Sequence, residues 1–209
     1  MSFEAQRSAN TSSKKKQKLA PYQKYFQGYT EAKVAKKNGK GFKVIRLYTD
    51  PWWVHDMDDK KWVLQKAIVG VLSILSLAVY IASAANRVSG NVDSAVVIVG
   101  GLLSAAALLF QLVWTGIYVT RPRKMTVYDC ESSSKNLKVW SFVAAAILAF
   151  TGVASFIYGL VSDSGTLLSS LGYLVSGAAL VPVILIENKT EYTEEFNDTQ
   201  IPFDRYSDF

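Results

Sequence analysis

The sequence predicts an all-α integral membrane protein: four transmembrane helices in two antiparallel hairpins, with a small cytoplasmic N-terminal β-hairpin ahead of them. Three observations carry this. Four apolar stretches hold no charged residue: Ala67–Ala85, Ala95–Val119, Val139–Val161 and Leu167–Ile186, of 19, 25, 23 and 20 residues. A helix rises about 1.5 Å per residue, so each can cross a hydrocarbon core of about 30 Å. Second, the cations are unevenly placed: of 23 Lys and Arg, 22 lie in residues 1–66, 120–138 and 187–209, and only Arg87 lies in the 86–94 loop. The positive-inside rule then puts both termini and the middle loop in the cytoplasm of a multi-pass cell-membrane protein. Third, the loops left outside, 86–94 and 162–166, are nine and five residues long, and such short connections join neighbouring antiparallel helices.

Residues 1–22 read as a disordered basic arm. They are polar, and Lys14, Lys15, Lys16 and Lys18 form a cationic run. Near an anionic lipid surface each such Lys contributes about 1 kcal/mol of attraction. The same run serves equally as a topology determinant. Nucleic acid is a poor partner, because the run has no interleaved aromatics and is tethered beside lipid. The first 25 residues also lack the apolar core of a signal peptide, so the first span is expected to direct insertion. Ser2 stands where myristoylation needs Gly, and the final Tyr206-Ser207-Asp208-Phe209 is no prenylation box.

Residues 23–66 form the head and an interfacial segment. Between Phe26 and Tyr48, Asn38-Gly39-Lys40-Gly41 supplies a turn between two strand-favouring runs, which predicts a β-hairpin. The Gly39-x-Gly41 spacing is not a phosphate loop, since no Gly-Lys-Ser/Thr follows. Trp52, Trp53 and Trp62 flank the first span, where indoles favour the headgroup region. Asp56 or Asp58 is placed to cap a helix running through Trp62 into the span. His55, Asp56, Asp58 and Asp59 are metal-ligand types, but consecutive residues on one helix do not converge on an ion. Capping and interface roles are therefore preferred to a metal site.

These head residues carry a resemblance. Tyr25-Phe26-x-Gly28-Tyr29, Asn38-Gly39-Lys40-Gly41, Arg46-x-Tyr48-Thr49 and Trp62 ahead of the first span resemble the opening of small uncharacterised four-span membrane proteins of Gram-positive bacteria. The resemblance implies a bacterial origin and the four-span layout; it implies no activity.

Within the 67–186 bundle, none of the four spans holds Asp, Glu, Lys, Arg or His. Coupled transporters usually place an ionisable group at depth, which lowers that class. Gln111 needs a partner in hydrocarbon and is expected to bond a neighbouring helix. Small residues, among them Gly172-x-x-x-Ser176, let helix backbones approach closely, pointing to a tight bundle, a homo-oligomer or another membrane protein as partner. Pro182 is expected to kink the fourth span. The lone Cys130 excludes an internal disulfide, and with no His beside it a bystander thiol is preferred to a reactive or palmitoylated one.

The 187–209 tail is acidic, with seven Asp and Glu against Lys189 and Arg205. It is expected either to stay solvated or to dock on the basic head. No catalytic cluster, cofactor motif or metal set emerges. The expected function is a non-enzymatic accessory or scaffold subunit whose cytoplasmic head and tail meet a partner. An oligomeric small-molecule transporter or channel subunit is the alternative.

Overall fold

The structure, a computed structural model, describes residues 25–36, 41–162 and 166–198. The basic arm with Lys14, Lys15, Lys16 and Lys18 lies outside the described residues, as does the tail beyond residue 198. Two compact units are present, one ending at Thr49 and the other spanning Asp50–Asp198.

In the first unit, β1 (Tyr29–Ala35) pairs antiparallel with β2 (Phe42–Tyr48), in a register running from Tyr29 opposite Tyr48 to Ala35 opposite Phe42. Gly41 leads into β2 with φ of 83°, a left-handed conformation that glycine adopts without strain. Arg46 donates to Glu31 across the pair, and Thr30 bonds Thr49 just beyond its end.

The second unit opens with β3 (Trp52–His55) and continues through five helices: α1 (Asp59–Ala84), the single-turn α2 (Ser89–Asp93), α3 (Ala95–Thr120), α4 (Val127–Ser162) and α5 (Leu167–Asn188). Two short strands belong to the same sheet as β3: β4 (Lys124–Met125) and β5 (Tyr192–Glu195). Four helices, α1, α3, α4 and α5, are long and apolar enough to cross a membrane. Each packs on its neighbour, and α5 closes the ring against α1.

The outward faces of these helices are apolar, unlike those of a water-soluble bundle, and small polar residues share the interior with an apolar core that includes Leu108, Leu148 and Leu180. On α1 the buried positions are Trp62, Gln65, Val69, Ser73, Ser76, Tyr80 and Ser83, each three or four residues from the last. The outward face of the same helix carries Val63, Leu64, Val71, Ile74 and Ile81, all more than half exposed. The other helices repeat this. Ser104, Gln111, Ser141, Thr151, Ser155, Ser169 and Ser176 are buried, while Leu102, Phe142, Leu160 and Leu168 face outward.

Many of the buried hydroxyls and amides bond across helices, although the Ser141 and Ser169 hydroxyls have no partner among the described residues. Ser76 of α1 and Ser176 of α5 exchange bonds with each other's backbone carbonyls and approach to 3.1 Å between hydroxyls. Gln111 of α3 donates to Ser73 of α1 and to its own Thr115. Tyr80 of α1 donates to the Gly101 carbonyl of α3. Gly172 sits so close to α1 that an added Cβ would lie 1.8 Å from the Ser83 hydroxyl.

Two elements differ from the sequence reading. Residues 120–138 read as a loop, yet α4 begins at Val127 and runs for 36 residues. Thr126 and Asp129 cap it reciprocally: the Asp129 N–H donates to the Thr126 hydroxyl, which donates to the Asp129 carboxylate. Cys130, Ser133 and Leu137 extend the buried stripe of α4 back through this polar segment. At α1, Asp58 holds the N-cap position with extended backbone, but its side chain makes no capping bond. Pro182 lies within α5, which continues through it to Asn188.

Candidate functional site at the sheet end of the bundle

Where α3 and α5 both end, the second unit gathers its most polar interior. Pro122 disfavours helical geometry in the residue before it, so α3 stops at Thr120 and Arg121 turns out in extended conformation, with ψ of 143°. This sends the Arg121 side chain into the bundle rather than along its axis. Glu187 occupies the last turn of α5, four residues after the buried Val183 and on the same face. A carboxylate is disfavoured at a helix C-terminus by the peptide dipoles, and a cation placed there offsets this.

Arg121 supplies that cation. Its Nη2 stands 3.8 Å from Glu187 Oε1, and the two side chains are 4% and 0% exposed. Tyr192, the first residue of β5, bridges them: its hydroxyl accepts from Arg121 at 2.6 Å and donates to Glu187 at 2.7 Å. Arg121 Nη1 donates to Ser133 of α4 at 2.8 Å. Three rings surround the guanidinium, with its carbon 4.0 Å from the Tyr118 centroid, 5.0 Å from Trp62 and 5.5 Å from Tyr192. Cation–π attraction of this kind strengthens once water is excluded. Gln65 of α1 completes the cluster, donating to the Tyr118 hydroxyl and to Thr190.

A three-stranded antiparallel sheet in the order β4-β3-β5 accompanies this cluster. β3 brings the segment before α1 against the tail, with Trp52 opposite Glu195 and His55 opposite Tyr192. The tail through Glu195 is thus paired with residues 52–55, and Lys124 of β4 ion-pairs with Glu195 at 2.5 Å. His55 is 1% exposed, its ring tilted against Trp62 at 4.1 Å and Tyr192 at 5.0 Å between centroids. Neither ring nitrogen has a hydrogen-bond partner among the described residues, nor do Arg121 Nε and Glu187 Oε2. Burial, and then the Arg121 charge, holds the His55 imidazole down to about 4 from its ordinary 6.5. Burial and the adjacent Glu187 carboxylate push the Tyr192 phenol up, so it stays a donor.

The residues singled out from sequence are distributed as follows. Trp62, expected at the headgroup boundary, is 4% exposed and packs against the Arg121 guanidinium. It lies on the inward stripe of α1, where its ring meets the guanidinium. Trp52 and Trp53, expected to flank the first span at the headgroup region, are half-buried in β3. Gln111, Gly172 and Ser176 are interior helix contacts outside the cluster, Gln111 ten residues before Arg121 and Ser176 eleven before Glu187. Among the described residues no group of three or more His, Cys, Asp or Glu could hold a metal. Arg121 falls in a stretch that reads from sequence as a loop, and Glu187 and Tyr192 in one that reads as an acidic tail. The signal for the first two was the stripe itself: Thr115, Tyr118 and Arg121 are spaced by three, and Leu180, Val183 and Glu187 by three and four.

No protein-family model, curated protein or solved structure matches this chain.

Proposed function

We propose that this chain is a multi-pass protein of the cell membrane, with α1, α3, α4 and α5 crossing the bilayer as two antiparallel hairpins and both termini in the cytoplasm. Within it the protein works as a non-enzymatic accessory or scaffold subunit. The observation that carries the reading is the apolar exterior of the bundle: large aliphatic and aromatic side chains cover the outward faces, while the interior mixes apolar residues such as Val69, Leu108, Leu148 and Leu180 with hydroxyls and amides, many of them bonded across helices. Water would penalise such an exterior, whereas hydrocarbon solvates it and drives the polar groups together. The cation count agrees, since the sheet end of the bundle carries Lys60, Lys61, Arg123, Lys124 and Lys189.

The scaffold reading rests on how the mid-bundle polar groups are used. Ser73, Gln111 and Thr115 bond one another, as do Ser76 with Ser176 and Ser104 with Thr151. They tie helices together instead of lining a charged path. At the sheet end, the Arg121–Glu187–Tyr192 cluster fixes four helices and the tail strand as one platform suited to holding a partner. In-cell cross-linking followed by mass spectrometry of proteins co-purified in mild detergent tests this. The reading predicts a recurrent membrane-protein partner cross-linked through the β3–β5 sheet. Substrate flux across vesicles containing the purified chain alone would overturn it in favour of a transporter or channel.

A further inference from the structure

The first unit presents a strand edge whose sequence is complementary to itself. β1 pairs with β2 and with no other strand among the described residues. At the two ends of this pair the Lys36 N–H donates to the Gly41 carbonyl at 3.0 Å and the Thr49 N–H to the Gly28 carbonyl at 2.8 Å. Both bonds fit the register of the strands between them, and bonding in an antiparallel ladder alternates along each strand. Gly28, Thr30, Ala32, Val34 and Lys36 therefore turn their backbone groups toward β2, whereas Glu31 and Lys33 turn theirs to the open edge. A two-stranded sheet is only marginally stable alone, and an open edge is a template for a further strand.

The edge charges decide which strand fits. Glu31 and Lys33 are exposed and, two residues apart, share one face of the hairpin. Glu31 pairs with Arg46 of β2, whereas Lys33 makes no hydrogen bond or ion pair with the described residues. A second β1 laid antiparallel along the edge must set outward-turned residues opposite one another, so the two-fold axis falls on a residue rather than between two. Centring it on Glu31 or on Lys33 places like charges face to face, which is destabilising. Centres nearer either end overlap too little of the strand. Centring on Ala32 places Glu31 of each copy opposite Lys33 of the other, and Thr30 opposite Val34. The charges that deter other registers thus fix this one. β2 lacks the property, since its charged residues are Lys43 and Arg46 and no self-pairing joins opposite signs.

We propose that β1 is a self-association surface: two copies of this chain join β1 to β1, antiparallel about Ala32, and two hairpins become one four-stranded sheet. Glu31 of each copy exchanges backbone hydrogen bonds with Lys33 of the other, and their side chains form two equivalent ion pairs, each continued to Arg46 through Glu31. One patch serving both partners is the isologous contact of a two-fold dimer. At the axis the two Ala32 residues form a non-hydrogen-bonded pair with Cα atoms about 4.5 Å apart, an approach that a small side chain suits. This interface goes beyond the accessory or scaffold role and does not depend on insertion in a bilayer.

The full chain, purified in mild detergent, is tested in two ways. In a Cys130→Ser background, Ala32→Cys should give a disulfide-linked homodimer on gentle oxidation, because a Cα separation of about 4.5 Å suits the bridge. Ile45→Cys, opposite Ala32 on β2 and about 15 Å from its counterpart across the axis, should stay unlinked. Without introduced cysteines, sedimentation equilibrium over a range of protein concentrations measures the dimer directly. Lys33→Glu breaks no bond among the described residues but sets carboxylates against each other at both pairs, so it should raise the dimer dissociation constant at least tenfold. Lys33→Arg should leave that constant within about twofold. A chain that is monomeric at every concentration, a dimer indifferent to Lys33→Glu, or Ala32→Cys that links no faster than Ile45→Cys would overturn the proposal. Linkage of Ala32→Cys to a different protein in cells would overturn it in favour of a foreign strand on this edge.

Discussion

Arg121 and Glu187, 66 positions apart in the chain, place their charges 3.8 Å from each other in an interior where neither side chain is more than 4% exposed. A pair this deeply buried is costly to form and more costly to break, because removing one partner strands the other charge away from water. Arg121→Met or Glu187→Leu alone should therefore destabilise the protein by about 3–5 kcal/mol. The double variant should recover most of that loss, since two apolar groups leave no orphaned charge. Thermal unfolding in detergent of the two singles and the double checks this; a double variant as unstable as the sum of the singles would contradict it.

Tyr192 makes the tail part of this interior. Tyr192→Phe keeps the ring but removes the hydroxyl that joins Arg121 to Glu187, and bonds to charged groups of this kind contribute about 2 kcal/mol each. The expected result is loss of stability together with faster proteolysis after Glu191, as β5 separates from β3. Unchanged protease sensitivity would show that strand pairing alone holds the tail.

How much of this was readable beforehand follows from the range of the interactions. The four long helices were legible because a charge-free run is a local property, and the β1–β2 pair because its turn residues are adjacent in sequence. The first twelve residues of α4 were not, since Ser, Lys and Asn there dilute the hydropathy; the Thr126-x-x-Asp129 cap was the available sign. The β3–β5 pairing joins residues about 140 apart and left no local trace. Arg121 and Glu187 were visible as charges, but their burial depended on following each stripe beyond the last apolar residue. The place of Trp62 beside the first apolar run is local information, whereas its contact with the Arg121 guanidinium joins residues 59 positions apart and left no local trace.

His55 gives the fold a pH dependence of defined sign. The unfolded chain takes up a proton near pH 6.5, whereas the folded one resists until about pH 4. The folded state therefore binds fewer protons between those values. Stability associated with neutral His55 is complete above pH 6.5, declines as pH falls toward 4, and changes no further below that. His55→Phe, which retains a ring against Trp62 and Tyr192, should flatten the melting temperature across this window relative to the parent. An identical slope in both proteins would assign the effect elsewhere.

Close helix contact at Gly172 is similarly testable. An added Cβ would meet the Ser83 hydroxyl at 1.8 Å and the Ser83 Cβ at 2.9 Å, so rotating the hydroxyl away relieves only the first overlap. Gly172→Ala should cost about 1–3 kcal/mol through separation of α1 and α5. Gly101→Ala is the control, because nothing lies within 4 Å of a Cβ built there. Equal melting temperatures for the two variants would contradict the packing described.

The central claim, four crossings with both ends on the cytoplasmic side, is tested most directly by labelling single cysteines in intact cells with a membrane-impermeant maleimide. In a Cys130→Ser background, Asp93→Cys reports the loop between the first two spans and Lys189→Cys the segment after the fourth. The account predicts labelling of the Asp93→Cys protein in intact cells and of the Lys189→Cys protein only after the cells are opened. Labelling of the Lys189→Cys protein in intact cells, or of neither protein until lysis, would contradict it.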